Sequence, residues 1–550
     1  MAAQQNPIAR VSKKLAKKLT RRARRSEEPT PIVVRERVEV KKLVFAGDEP
    51  QGPMSLSDLD RLSLFGRFAL PPLARMSLED QGRYVDSLLS VQRMHALGLD
   101  PESFEFPEAR VRLIYNEVYE RTASLGAESR HVEFDGATTG ELSHFLKAHA
   151  GDAVHVAAPM LTMDKTIVVP AQTSLYGHGV RLVAGPEAVE KAILLNEVTD
   201  VVVSGFHIVD CCDYPLYVKR SQRFVVEDNY IEKCRAKAIC VMGENKHFVL
   251  RNNRISHTGN GALFLHGVVE RGVIEQNVLD HVGGTWNFSG GIVFSALDIE
   301  NIDTAYNPWK QHDLTSRVEA PHDLVITRNI IRDGASNGLY SHAGYCNYIV
   351  GNVIEHNNKE GMCLDFGTCG TYVAHNIIHA NGGRFHMDAQ QLKDDYIQDF
   401  GVLADGSSPA KVPGISLDNA AYNIIYQNEV SQNSGTGIKM VRASVCNVIL
   451  CNEVTSNNVG QNNRFHFYGI ELSTDLRPDY EPNEVRELDF APCFENIVAR
   501  NTISGTHFSG VFLGQDAYIN DVFDNVIGEA GIPIECLSEK LNSIVNNMIL

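Results

Sequence analysis

An Asn followed two residues later by Ile, Leu or Val recurs along this chain at a nearly fixed spacing, and no other feature restricts the fold so tightly. The positions are Asn229, Asn253, Asn277, Asn329, Asn352, Asn376, Asn428, Asn452, Asn501, Asn525 and Asn547, with Ile231, Ile255, Leu279, Ile331, Ile354, Ile378, Val430, Val454, Ile503, Ile527 and Ile549 after them. Seven of the ten intervals are 22–24 residues and the others are 52, 52 and 49. A repeat of this size carrying one β-like motif means stacked coils, each burying its apolar side on its neighbours. The expected fold is all-β: a right-handed single-stranded parallel β-helix over residues 131–550. Asn suits a tight bend that takes left-handed geometry, and its amide can bond to the Asn one coil away. A second column precedes the first by five residues: Asn347, Asn423, Asn447, Asn496, Asn520 and Asn542. Both columns read as structural.

Nine residues after the register Asn, most coils show Gly and then an alternating strand, as in Gly338-Leu-Tyr-Ser-His342 and Gly361-Met-Cys-Leu-Asp365. Side chains alternate along a strand. The apolar first and third residues, Leu339, Met362 and Leu364 among them, must point inward, and only Ser341 breaks the rule. The second and fourth residues then face the solvent side. The fourth column reads His266, Ser295, His342, Asp365, Asp418, Val441, Ser473, and the second contains Tyr340, Lys439 and Glu471. His342, Asp365 and Asp418 become nearest neighbours on one face, with Lys439, Arg442 and Glu471 one or two coils on. Two carboxylates ~5 Å apart repel by roughly 3 kcal/mol at an effective dielectric of 20, so one needs a proton or a nearby cation. Acid–base sites use that arrangement. The bland alternative is a solvated face whose charges balance.

The three long intervals insert residues beside this same strand, at 296–320, 383–413 and 474–492. Loops crowded round one face of a regular solenoid build the walls of a groove. They carry Trp309, Tyr306, Phe385, Tyr396 and Tyr480, flat side chains that stack on sugar rings, beside Arg384, Lys393, Asp394 and Lys411.

Ahead of the solenoid the chain divides into residues 1–28, 29–55 and 56–130. The first holds nine Lys/Arg before residue 26 and no acid there, with Ile8, Val11, Leu15 and Leu19 at helical spacing. It reads as a basic amphipathic helix, able to touch an anionic membrane surface through residues 8–25, or as a disordered basic tail. Residues 29–55 read as linker. Residues 56–130 read as a small helical region, and Thr139-Gly-Glu-Leu as the start of a short helix lying over the first coil. The whole chain carries a net charge of −17, and the residues after 25 carry −26 (42 Lys/Arg against 68 Asp/Glu), which argues against a nucleic-acid partner. Eleven Cys at no zinc spacing fit free thiols in a reducing compartment. No apolar signal region follows the basic start. The expected location is cytoplasmic, peripheral at the inner membrane if the basic helix binds there; secretion by a signal-free route stays open. The sequence halts midway round a coil at Asn546-Asn-Met-Ile-Leu550, and an open parallel edge invites an end-on partner or self-association.

The repeat, with the segment Thr166-Ile-Val-Val-Pro-Ala-Gln-Thr-Ser-Leu-Tyr-Gly-His-Gly179, resembles the pectate-lyase-like superfamily of pectin-lyase-like solenoids over roughly residues 132–550. The resemblance implies a polysaccharide substrate and a lyase, hydrolase or epimerase activity. The pectate-lyase Trp-Ile-Asp-His and the polygalacturonase motif set are absent, and Gly177-His-Gly179 lies in the first coils. Glu319-Ala-Pro-His-Asp323 is similar to the Asp-Pro-His-Asp of mannuronan epimerases, though His322 falls before a strand, outside the groove column. The leading expectation is a lyase or epimerase acting on uronate residues by proton abstraction. His342 or Lys439 is the base; Asp365 and Asp418, with a bound Ca²⁺, neutralise the sugar carboxylate; Arg442 clamps it. Glu471, Tyr340, His266, Arg384 and Trp309 contact the sugar chain. The alternatives are a glycoside hydrolase using Asp365 and Asp418, and a non-catalytic glycan-binding or polysaccharide-assembly protein. A cytoplasmic location favours making or tailoring an exported polysaccharide.

Overall fold

The computed structural model describes residues 105–186, 188–284, 289–296, 320–365, 367–382, 412–442, 444–457, 467–473, 493–505, 507–515, 517–538 and 542–550. Within them the chain winds into a parallel β-helix of about 14 turns. One wall is a sheet of thirteen strands, one per coil, from Ile167–Val168 to Ile532–Cys536. The remaining strands form a second sheet that bends lengthwise. In its middle coils each turn contributes two short strands, such as Val325–Thr327 and Ile330–Arg332, separated by Arg328-Asn329. The inward residues of the thirteen-stranded wall, Leu339, Met362, Leu364, Ile415, Leu417, Ile438 and Met440, are fully buried in one continuous core. Ser341 is inside with them, bonded to Thr368 Oγ1 at 3.0 Å.

The Asn columns form ladders, with one correction to the expected backbone. The left-handed position belongs to the residue before each Asn: Asp228 (φ 56°), Gln276 (56°), Arg328 (56°) and His375 (56°). The bend thereby turns the following amide into the coil, where it meets its neighbours on both sides. Asn352 Oδ1 accepts from the backbone N–H (3.0 Å) and Nδ2 (2.9 Å) of Asn329, and Asn352 Nδ2 donates to Ile326 O (2.9 Å). Each buried amide thus satisfies donors that would each cost about 1–3 kcal/mol if left unpaired. A third ladder, Asn357–Asn381–Asn433–Asn457, lies five residues beyond the first and ends on His507 Nε2, 3.3 Å from the Asn457 N–H.

The glycine that opens each wall strand has a steric reason. A Cβ on Gly338 would lie 2.3 Å from Ile354 Cγ2 and 2.6 Å from Gly361 O; one on Gly361 would meet Ile378 Cγ2 at 2.6 Å. The Ile of the Asn-x-Ile motif therefore fills the space that the glycine of the previous coil leaves. The two sequence marks are halves of one packing unit.

Two helices flank the solenoid. Helix α1 (Glu105–Thr122) lies along the outside of the bent sheet, burying Ile114 and Val118 among the outward Val249, Val273 and Val325. Its polar side chains reach charged groups of the coils. Arg110 pairs with Asp323 at 3.2 Å, both nearly buried, and Tyr115 and Tyr119 donate to Glu275, which also meets Arg328. Helix α2 (Thr139–Ala148) starts with a capping box of Thr138 and Glu141 and buries Thr139, Leu142 and Leu146 on the first coils. Among the described residues no helix is long and apolar enough to cross a membrane.

Candidate functional site

Strand pairing settles which outward residues share a face. Asn337–His342, Met362–Asp365, Ile415–Asp418 and Ile438–Val441 pair in register, giving His342↔Asp365, Asp365↔Asp418 and Asp418↔Val441. The second-position row runs Tyr340↔Cys363, Cys363↔Ser416, Ser416↔Lys439 and Lys439↔Glu471. His266 pairs with Ser295 and Ser295 with His342, so His266 stands two strands away. The register expected for these columns is the one observed.

Their environment is not the solvated face that alternation suggested. His342 is 2% exposed and Asp365 9%, and Cys363, Ser416 and Ser473 are also buried. Alternation fixes which side of the wall a residue leaves from; it does not fix how much water meets it there. Burial raises the stakes of every charge in the row, because each must be hydrogen-bonded or paired. Asp418 is matched by Arg442 Nη1 at 3.2 Å. Arg442 holds the left-handed bend just after its strand (φ 49°), one coil beyond Asp418. This guanidinium is the cation that adjoining carboxylates require. Asp365 Oδ2 accepts from Tyr340 OH at 2.9 Å. Burial first, and then the Asp365 charge, hold the Tyr340 phenol well above its ordinary pKa. Tyr340 is accordingly a proton donor at neutral pH. Cys363 is pushed up by the same causes, burial first and Asp365 next, so its thiol stays protonated and is a poor nucleophile.

Two hydroxyls that sequence reasoning missed tie the strand ends beneath this row. Thr368 Oγ1 donates to Ser341 O (2.8 Å) or Asp365 O (2.9 Å), and Ser444 Oγ to Leu417 O (2.8 Å) or Val441 O (2.7 Å). Each stands three residues after its strand's last residue, a spacing that could have marked them. Glu471 is engaged locally, accepting from Thr436 Oγ1 at 3.0 Å and Ser473 Oγ at 2.7 Å. His266 Nδ1 lies 3.3 Å from Ser295 Oγ, and burial, then Lys237, lower its pKa. Trp309 and Arg384, with the other aromatic and charged residues noted in the insertions, lie outside the described residues.

The His322-Asp323 segment belongs elsewhere. His322 bridges Glu270 and Tyr345 on the bent sheet and stacks on Tyr345 at 4.6 Å, while Asp323 holds Arg110 of α1. Among the described residues, three metal-ligating side chains converge at Glu270, His322 and Asp323 and at Asp280, His281 and Asp333; neither set includes Asp365 or Asp418.

Comparison with known proteins gives the family. The family described as right handed beta helix region matches residues 187–308 and 317–485. A search of curated proteins gave no match. Among solved structures, the chain is similar to the A-module of the mannuronan C-5 epimerase AlgE6 of Azotobacter vinelandii, at 12% identity and a TM-score of 0.40, covering 76% of this chain and 96% of that one. It is also similar to the catalytic unit of an α-1,3-glucanase from Streptomyces thermodiastaticus, at 11% identity and a TM-score of 0.38, covering 77% and 69%. With more than half of its residues inside the family match, and with coils stacked in parallel throughout the described solenoid, the chain belongs to the right-handed β-helix family.

Proposed function

We propose that the chain is an enzyme that modifies a polysaccharide, acting on uronate residues as a lyase or epimerase by proton abstraction. One observation carries the reading: His342, Asp365 and Asp418 occupy consecutive strands, with a phenol on one carboxylate and a guanidinium on the other. Removing the C–H beside a sugar carboxylate requires a base, and a neutralised carboxylate to spread the developing charge. His342 is the base, with Lys439 one coil past Asp418 as the other candidate. Arg442 is the neutralising group, meeting the sugar carboxylate while Asp418 orients it. Tyr340 is the acid. In a lyase the electron pair left at the carbon expels the glycosidic oxygen on the next carbon, and Tyr340 protonates that oxygen. In an epimerase Tyr340 returns a proton to the opposite face of the carbon.

Calcium held by Asp365 and Asp418 would be a second way to neutralise the substrate, and activity that survives a chelator is the outcome expected with Arg442 in that role. A glycoside hydrolase remains the second reading, because the Asp365↔Asp418 pairing gives adjacent carboxylates; a carboxyl separation of about 5 Å suits a retaining mechanism.

The test is incubation with uronate polysaccharides in D₂O. Near-ultraviolet absorbance marks a lyase, deuterium in the polymer an epimerase, and reducing ends without either a hydrolase. Tyr340→Phe should lower kcat by about 10²–10⁴-fold with little change in KM, the usual range for losing a general acid. Wild-type protein that binds glycans but gives none of the three signals overturns the enzyme reading in favour of a binding protein.

A further inference from the structure

The wall carries a second group of outward side chains on the coils ahead of His342. Its strands Lys191–Asn196, Tyr214–Lys219, Ile239–Met242 and Leu263–His266 pair in sequence and lead through Gly290–Ser295 to Asn337–His342. The outward row that reaches Tyr340 therefore runs back through Val293, Phe264, Cys240 and Tyr217. Lys237, two residues ahead of Ile239, holds its Nζ over the Phe264 ring, 3.6 Å from the centroid. Lys191 Nζ stands 4.9 Å from the Tyr217 ring and 5.9 Å from that of Tyr214. All five side chains are half-buried. The nearby acids are already matched, Glu190 by Lys191 at 2.9 Å and Asp213 by Arg235 at 3.6 Å. Among the described residues no carboxylate pairs with Lys237, and burial lowers its pKa. An ammonium drawn partly out of water, answered only by the negative face of a ring, has room for an anion.

We propose that Lys237 binds a carboxylate of an acidic sugar chain laid along the wall, so that the coils ahead of His342 extend the candidate site and select anionic chains. The inference rests on the reading that the wall accepts a uronate polymer. Lys237 lies three coils before the His342 strand, about 14 Å along the solenoid at the usual strand spacing. A long chain seated at His342 reaches it; a short one does not. Phe264 holds the ammonium in place, which lessens the side-chain ordering that binding must impose. A charge-assisted hydrogen bond from Nζ to the sugar carboxylate then replaces the water that burial removed. Tyr214 and Tyr217 offer flat rings with polar tips beside the same path. Lys191 is the lesser anchor, because Glu190 already engages it. Since Lys237 stands far from the reacting carbon, it holds substrate and transition state alike and acts on KM rather than kcat.

The experiment titrates the full chain by calorimetry with decamers of galacturonate and of mannuronate, and with the same decamers after their carboxyl groups are reduced. Wild type should bind an acidic decamer more tightly than its reduced form. Lys237→Met should weaken the acidic decamer about tenfold, within the range for a hydrogen bond to a charged group, and leave the reduced one unchanged. Lys237→Arg should restore most of the loss, and Phe264→Leu should fall between. Lys233→Met is the control for net charge: this exposed lysine follows Tyr230–Glu232 on the bent sheet, beside Glu232 at 3.6 Å, and its loss should leave the titration as it was. Binding weakened in Lys237→Met, with no product signal from wild type in D₂O, sinks the enzyme reading and leaves this inference standing. Normal turnover with binding unaltered in Lys237→Met sinks the inference alone. No binding of either acidic decamer by wild type, or an equal loss in Lys233→Met, overturns it as well.

Discussion

At the residue scale, the end of the third ladder is the most exacting position. His507 replaces the Asn that the ladder calls for, and its Nε2 accepts from the Asn457 backbone N–H. Protonation would set one N–H against another inside a buried site, and burial accordingly lowers the His507 pKa to about 4. The folded state refuses a proton that the unfolded chain takes up near its ordinary value of ~6.5. Above that value neither state is protonated and nothing changes. As pH falls from about 6.5 to about 4 the unfolded state gains, and stability drops by on the order of 3 kcal/mol. His507→Asn should rejoin the ladder and flatten that part of the curve, leaving neutral-pH stability level or higher. Denaturant midpoints of both proteins between pH 7 and 4 measure it; parallel curves would remove His507 from the account.

At the scale of elements, the solenoid depends on fits between coils and on one strapped helix. Gly361 faces Ile378 Cγ2 and Gly414 O across adjacent coils, so Gly361→Ala forces a rigid wall apart. Overpacking of this kind costs about 1–3 kcal/mol. Pairing it with Ile378→Ala removes the Cγ2 that the new methyl meets, so the double variant should lose less than the two single losses added together, a coupling that a double-mutant cycle reads directly. Helix α1 is held differently, through the Arg110–Asp323 pair. Arg110→Ala takes the guanidinium away from a buried carboxylate, at about 3–5 kcal/mol. Because coils contact mainly their neighbours, the deficit should appear first as local opening. Hydrogen exchange in residues 105–122 should quicken while the wall strands keep their protection; uniform change throughout would contradict the strap. Arg110→Met with Asp323→Leu should restore most of the protection, as replacing a buried pair with apolar groups often does.

At the scale of the molecule, the solenoid supplies a ruler. One coil per repeat turns positions 23 or 53 residues apart into neighbours, as with His342 and Asp365 or Asp365 and Asp418. The apolar period, the inward and outward choice at each wall residue, and the adjacency of those three side chains were legible in the sequence, because side-chain alternation and coil stacking are local rules repeated many times. Other features were not legible, since they depend on where groups distant in sequence meet. Arg442 reaches back a coil to Asp418 from a bend, Tyr340 finds Asp365 diagonally, and the hydroxyls of Thr368 and Ser444 each stand within reach of carbonyls on two coils. The left-handed residue was assigned to Asn when its predecessor holds it, because both residues suit a bend and only the ladder's inward amide distinguishes them. The pattern of Asn, Ile and Gly by itself determined a parallel β-helix and the register of its columns. Tertiary structure alone decided that His342 and Asp365 in the outward row are buried, that Asp418 meets Arg442, and that His281 and Asp333 share a corner. Burial and pairing are properties of three-dimensional neighbours, and a one-dimensional repeat can name a column without saying what stands against it.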